Sequence, residues 1–137
     1  MKEGWKMQEK LRKLLEKSYS PYFNYPVASV VVMKDGKEFY GVNVETSSPS
    51  AGICAERNAI YSAFSEGYTK GDIKEINVMS KTEDFCYPCF ICRQAISDFC
   101  DENVCVNSYT YSGNKNTLKV SDLCSHPFND CDLQGEK

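Results

Sequence analysis

Two short stretches hold residue types that do chemistry: Cys54-Ala55-Glu56-Arg57, and Pro88-Cys89-Phe90-Ile91-Cys92, which continues into Arg93-Gln94. Cys89 and Cys92 are i and i+3, so on a helix they share a face. A Cys-x-x-Cys pair by itself is open to three readings: a redox pair, half of a zinc ribbon, or coincidence. Cys54 narrows them, because it stands at a second helix start with a carboxylate two residues on. A helix N-terminus stabilises thiolate through its dipole and free N–H groups, and thiolates bind metal. Three thiolates fill three positions of a tetrahedral Zn²⁺ and leave the fourth open, the pattern of a catalytic rather than a structural site. In a straight helix Glu56 points away from Cys54 and is no fourth ligand. With the metal beyond the helix end, its side chain can reach over the open position and take a proton from a water there. Arg57 is i+3 from Cys54 and can lie against the thiolates. Zn²⁺ with three thiolates carries net negative charge, which weakens its pull on a water, and a guanidinium donating to sulfur would restore that pull.

The elements that must position these residues follow from periodicity. Residues 5–17 carry Met7, Leu11, Leu14 and Leu15 at helical spacing, and the pattern stops at Ser18-Tyr19-Ser20-Pro21. Val27 to Met33 is β-branched and nearly all apolar, a buried strand. Lys34-Asp35-Gly36-Lys37 is a hairpin signal, and Glu38 to Val44 returns as a second strand. A loop at 45–53 leads to a helix over Cys54 to Ser65, then a strand over Ile73 to Ser80. A helix is expected at 89–100 after Pro88, and a strand around Val104 and Val106. Tyr109 to Tyr111 and Thr117 to Val120 flank a Ser-Gly-Asn turn, and the tail from Ser121 is polar. The order α-β-β-α-β-α-β-β implies crossover connections and partly parallel pairing. The expected fold is α/β: three layers, with a mixed sheet of about five strands between helices. The two chemistry-bearing helix starts then fall at the same edge of the sheet.

The 137 residues suit a single domain, 1–137, and 42% hydrophobic with 26% charged residues argues against disorder. The longest apolar run, 27–33, is far too short to span a membrane. The start MKEGWKMQEK has no apolar core of a secretory signal. Net charge is −3 with no Lys/Arg-rich block, so the electrostatic footprint of a nucleic-acid binder is missing. Eight cysteines are the anomaly, at 54, 86, 89, 92, 100, 105, 124 and 131. Without a signal for export, they point to a reducing, cytoplasmic setting, with metal or catalytic thiols among them and the rest buried as small hydrophobes. Cys86 is the nearest rival ligand, and on the metal it would close the site with four thiolates. His126, the single histidine, reads as a surface residue.

Residues 18–99 resemble the cytidine deaminase family. The likeness rests on Ser18-Tyr19-Ser20-Pro21-Tyr22 followed by Val27-Ala28, on Gly41-Val42-Asn43-Val44-Glu45, and on the two cysteine motifs. Cys at 54, where nucleic-acid and nucleotide deaminases more often carry His, resembles the small free-nucleoside branch, which is usually homotetrameric. The resemblance implies that Cys54, Cys89 and Cys92 bind one Zn²⁺ per chain and that Glu56 is the proton shuttle. It implies that Asn43 and Glu45 hydrogen-bond the sugar, that the Ala55 backbone contacts the base carbonyl, and that Tyr25 replaces a Phe stacking near the pyrimidine. Phe128 matches a C-terminal Phe that reaches a neighbouring subunit's site. Three positions depart from the family: Phe90 for a common Gly, Pro49 for a Tyr that reaches the adjacent subunit's ligand, and Thr46 for a common Asn.

The function implied is hydrolytic deamination of free cytidine and 2′-deoxycytidine, releasing ammonia, in pyrimidine salvage. The runner-up, motivated by Pro49 and Phe90, is a deaminase of another cytosine-bearing small molecule such as a blasticidin-type antibiotic. A non-enzymatic module stabilised by a closed four-thiolate zinc site is a third reading, and a redox Cys-x-x-Cys protein a fourth.

Overall fold

The computed structural model describes residues 4–134; residues 1–3 and 135–137 of the expected domain lie outside the described residues. Five strands form one sheet in the order β2-β1-β3-β4-β5. They are β1 (Val27–Met33), β2 (Glu38–Val42), β3 (Ile73–Ser80), β4 (Cys105–Tyr109) and β5 (Lys115–Lys119). Helices α1 (Met7–Leu15), α2 (Ala55–Ser65) and α3 (Phe90–Phe99) cover it, and α4 (Val120–Leu123) and α5 (Asp130–Gln134) follow in the tail. The three-layer mixed α/β arrangement is the expected one. Within the sheet, β3 and β4 pair in parallel and the other three neighbouring pairs are antiparallel.

β1 is apolar on both faces because both faces are covered. Ala28, Val30 and Val32 point to α1 and pack with Leu11, Leu14 and Leu15. Val31 and Met33 point the other way, into the core shared with Ala59 and Ile60 of α2 and Ile96 of α3. Alternation along an extended chain thus feeds two layers from one strand. The β1–β2 turn is as expected: Gly36 takes φ 92° and the Asp35 carboxylate accepts from the Lys37 amide at 3.0 Å.

Several boundaries differ from the sequence reading, for identifiable reasons. The second strand ends at Val42, not Val44, because the chain there leaves β1 and enters a separate ribbon. Val44 bridges Tyr19 on one side and Ile53 on the other. The last hairpin turns through Ser112-Gly113-Asn114 as expected, with Gly113 at φ 106° and the Thr110 amide bonded to the Asn114 carbonyl at 2.9 Å, but its strands end at Tyr109 and resume at Lys115, earlier than the expected 109–111 and 117–120. The tail holds two short helices that its polar composition did not announce. Val120 and Leu123 of α4 reach the core, and packing rather than propensity sets that turn.

β2 and β3 both run antiparallel to β1, which lies between them, so they run parallel to one another. α2 follows β2 and α3 follows β3, which brings both helix starts to the same end of the sheet. The fit of α2 on β2 is close at Gly41. A Cβ there would stand 2.3 Å from the Ala55 carbonyl oxygen and 2.6 Å from the Ala59 amide nitrogen. Only glycine lets the first turn of α2 sit this near the strand.

Candidate metal centre and cavity

Cys54 and Cys89 are the capping residues of α2 and α3, both in extended conformation, and neither sulfur caps its own helix. Both sulfurs turn instead toward one point beyond the helix ends. Cys92, one turn into α3 and buried, completes the group. The three sulfurs lie within 4.8 Å of one another, and those of Cys54 and Cys89 are 3.7 Å apart. Sulfurs about 2.3 Å from a tetrahedral zinc stand about 3.8 Å from each other. The donor set therefore fits Zn²⁺ in size, and three soft thiolates fit it in chemistry. Among the described residues these three cysteines are the one group of this kind, and Cys86 is not part of it.

Arg57 lies against the sulfurs as its spacing suggested. Its Nε is 3.4 Å from the Cys92 sulfur and its Nη2 3.6 Å from that of Cys54. Burial works to lower the guanidinium's pKa, but the bonds to Cys92 and Cys54 win and hold it above its ordinary value. The Cys54 thiol is pushed down to about 5, first by its bond with Cys92 and then, against burial, by Arg57. Cys92 moves up, through the same bond with Cys54 and through burial. Cys54 stands at the positive end of α2, which favours thiolate there.

Glu56 is 4% exposed. Burial lifts its carboxyl to about 7, with the charge on Cys54 adding to the rise and a bond from its own backbone N–H opposing it. Such a carboxyl gives and takes protons readily near neutral pH.

These groups end a cavity of about 410 Å³, in the range of small-molecule sites. Cys54, Ala55, Glu56, Arg57 and Cys89 form one part of its wall; Tyr25, Asn43, Glu45, Thr46 and Pro49 form another. Asn43, expected on the second strand, lies instead with Glu45 in the ribbon beyond it. The Val44 amide bonds the Ile53 carbonyl at 3.0 Å and the Glu45 amide the Tyr19 carbonyl at 2.8 Å. Ala55 is fully buried at the first position of α2, where a backbone N–H has no partner within the helix. Tyr25 is 43% exposed at the wall, and burial of its hydroxyl raises its pKa.

Other expected residues fall elsewhere. Phe128 is exposed and does not line the cavity; its carbonyl accepts from Gln94 at 2.9 Å. Phe90 turns outward, with the Arg93 guanidinium over its ring at 4.6 Å, so it leaves the metal point clear. His126 is exposed. Sequence reasoning passed over four wall residues, Phe23, Ile53, Tyr87 and Ile91. Phe23, Ile53 and Tyr87 are apolar or aromatic in loops without periodicity, and Ile91 sits on the first turn of α3, facing outward from the core; only the folded chain reveals that the four face one space. Cys86 also lines the cavity, and burial raises its thiol to about 11, with the nearby Glu56 adding to the rise.

Among the described residues no helix is long and apolar enough to cross a membrane. Comparison with known proteins bears on the same motifs. Residues 1–108 match the family model described as the cytidine and deoxycytidylate deaminase zinc-binding region. The chain is 34% identical over 122 residues to the cytidine deaminase of Sporosarcina psychrophila, covering 89% of this chain and 88% of that one. It is 34% identical over 113 residues to that of Halalkalibacterium halodurans, covering 82% and 84%. Among solved structures, the cytidine deaminase of Burkholderia pseudomallei superposes with a TM-score of 0.83 at 34% identity, over 88% of this chain and 94% of that one. Similarity over most of both chains, together with three thiols around one point and a buried glutamate beside them, places this protein in the cytidine and deoxycytidylate deaminase family.

Proposed function

We propose that the protein hydrolyses the amine of free cytidine and 2′-deoxycytidine, giving the uridine and ammonia, with one zinc ion per chain. The observation that carries this reading is the buried Glu56 carboxyl beside three converging sulfurs at the end of a nucleoside-sized cavity. Its relatives' names point to the same reaction. Nucleosides rather than nucleotides are favoured by the wall itself. Arg57 is the one cation among the lining residues, and its guanidinium is engaged with sulfur. A 5′-phosphate would enter a space lined by Phe23 and Pro49 with no free positive partner among the described lining residues.

Cys54, Cys89 and Cys92 would hold the zinc, which when bound would supply Lewis acidity and make a water acidic near neutral pH. Glu56 takes the proton from the attacking water and passes one to the ring nitrogen beside the amine-bearing carbon. It then delivers a proton to the departing amine, so one carboxyl acts as base and as acid. The first N–H groups of α2, Ala55 included, point toward the base carbonyl. Tyr25 offers its ring face to the pyrimidine. Asn43 and Glu45 receive the sugar hydroxyl. Arg57 holds charge off the sulfurs.

A homotetramer is the assembly we infer. Phe90 and Ile91 are 80% and 66% exposed on the first turn of α3, an apolar face beside the cavity suited to a second copy. Phe128 would there approach a neighbour's cavity. A place in pyrimidine salvage in the cytoplasm is the physiological counterpart.

The test joins zinc stoichiometry to ammonia release from cytidine, 2′-deoxycytidine, 2′,3′-dideoxycytidine and a blasticidin-type antibiotic. One zinc per chain, and turnover of the first two substrates well above the others, is the expected result. Equal efficiency on cytidine and its dideoxy analogue would refute the sugar assignment. Turnover of the antibiotic alone would refute the substrate. Light scattering that finds a monomer at micromolar concentration would remove the tetramer.

A further inference from the structure

The segment between α1 and β1 lies along the cavity, and two side chains of the opposite ribbon hold it there. Asn43 takes both ends of its return. Its Oδ1 accepts from the Ser18 hydroxyl and from the Val27 amide at 2.9 Å, and its Nδ2 donates to the Tyr25 carbonyl at 2.9 Å. Glu45 takes the middle. A single carboxylate oxygen, Oε1, accepts from the Tyr22 amide at 2.9 Å and from the Phe23 amide at 3.1 Å. Asn24 then turns the chain back at φ 52°, a conformation that asparagine tolerates, with its amide bonded to the Ser20 carbonyl at 2.9 Å. The Phe23 ring is thereby set at the cavity wall with most of its surface open.

We propose that Phe23 is a specificity-determining residue, and that Glu45 is the positioning residue that sets it through the amides of Tyr22 and Phe23. The inference rests on the proposed nucleoside reading, in which Glu45 also faces a ligand hydroxyl. A carboxylate has two oxygens and about four acceptor directions. Oε1 is engaged twice by the loop, and Oε2 is the oxygen left for the cavity. Ligand hydroxyl and loop are therefore read by one residue. The ring that covers the ligand is fixed by the same group that recognises it. An apolar ring at the mouth gains by burial against a bound nucleoside, and it supplies nothing to a charged extension.

Two measurements test this. The first is amide hydrogen exchange in the ligand-free protein. Glu45→Ala should speed exchange at Tyr22 and Phe23 by about tenfold or more, because both lose their acceptor. Glu45→Gln should leave them near wild type, since its side-chain carbonyl still accepts. Unchanged exchange in Glu45→Ala would overturn the positioning role whatever the enzyme acts on. The second is steady-state kinetics of Phe23→Ala on cytidine. KM should rise by about tenfold with kcat within about twofold, the mark of lost ground-state binding. An unchanged KM, or a changed oligomeric state with KM intact, would overturn the role of Phe23 and assign the ring to a subunit contact. Wild type inert toward cytidine would overturn the nucleoside reading and the Phe23 role with it, while the exchange data would still decide Glu45.

Discussion

Helix α3 has a cysteine at each end. At its start the Cys89 sulfur stands 3.7 Å from that of Cys54, on a point where two helix N-termini meet. At its finish Cys100 is buried in the core with Val104, Val120 and Leu123. Burial lifts its thiol to about 12, with the neighbouring Cys124 adding to the rise. The residue type is the same and the sequence separation is one helix. What differs is the surroundings: at one end the sulfur meets two others beyond the starts of two helices, while at the other apolar side chains and helix carbonyls enclose it and disfavour thiolate. The eight cysteines of the composition are thus not one signal. Three are placed where together they could hold a metal ion, and Cys100 is a small hydrophobe by placement.

The largest expected effect comes from breaking the first group. Cys89→Ser should remove zinc and, with it, deaminase turnover to the limit of detection. Cys100→Ala should keep zinc and turnover, and lower stability by about 1 kcal/mol for a small buried side chain. Metal analysis and ammonia release on the two variants check the contrast directly. Loss of zinc from Cys100→Ala would mean that the two ends of α3 are not independent.

Glu56→Gln comes next. It keeps the shape of a buried side chain at the cavity wall and removes its proton chemistry, so zinc content should stay and turnover should fall by about 10²–10⁴. A variant that retained a tenth of wild-type turnover would show that proton transfer runs through another group.

Gly41→Ala tests what brings the two helix starts together. The added Cβ meets backbone atoms at 2.3 and 2.6 Å, which side-chain rotation cannot relieve. α2 must shift at the turn that carries Cys54 and Glu56. The expected cost is about 1–3 kcal/mol in urea unfolding, with a fall in kcat out of proportion to it. A stability loss with kcat intact would show that the site tolerates movement of α2.

Legibility follows the same division. The zinc thiols, Glu56 and Arg57 were readable because helix periodicity fixes where i, i+2 and i+3 lie once a helix start is known. The central strand was readable because Val27 to Met33 is apolar on both faces, and the structure buries both. The cavity's other wall was only partly readable. Asn43 and Glu45 came from resemblance, and their bonds to the 18–27 segment depend on a ribbon between Tyr19, Val44 and Ile53 that carries no periodic pattern. Phe23, Ile53 and Tyr87 face the cavity only because loops distant in sequence converge there, beside Ile91 on the first turn of α3. Gly41 was quoted as part of a motif, but its reason is a backbone approach that composition cannot express.

The smallest effect is absent at neutral pH and grows in base. Cys100 holds its proton up to about 12 in the folded protein, whereas an ordinary thiol releases it near 9.0. Between these values the unfolded chain has lost the proton and the folded chain retains it. Stability then falls as pH rises, by about 1.4 kcal/mol per pH unit for one such group at full effect. Below pH 9.0 both states are protonated at this site and the contribution is flat. Cys100→Ala has no proton to lose there, so its deficit against wild type should shrink on going from pH 8 to pH 10. Urea unfolding of both proteins at the two pH values measures that difference, with the other titrating groups common to both. Parallel pH dependences would show that Cys100 titrates like an exposed thiol, and the contrast between the two ends of α3 would then lie in metal geometry alone.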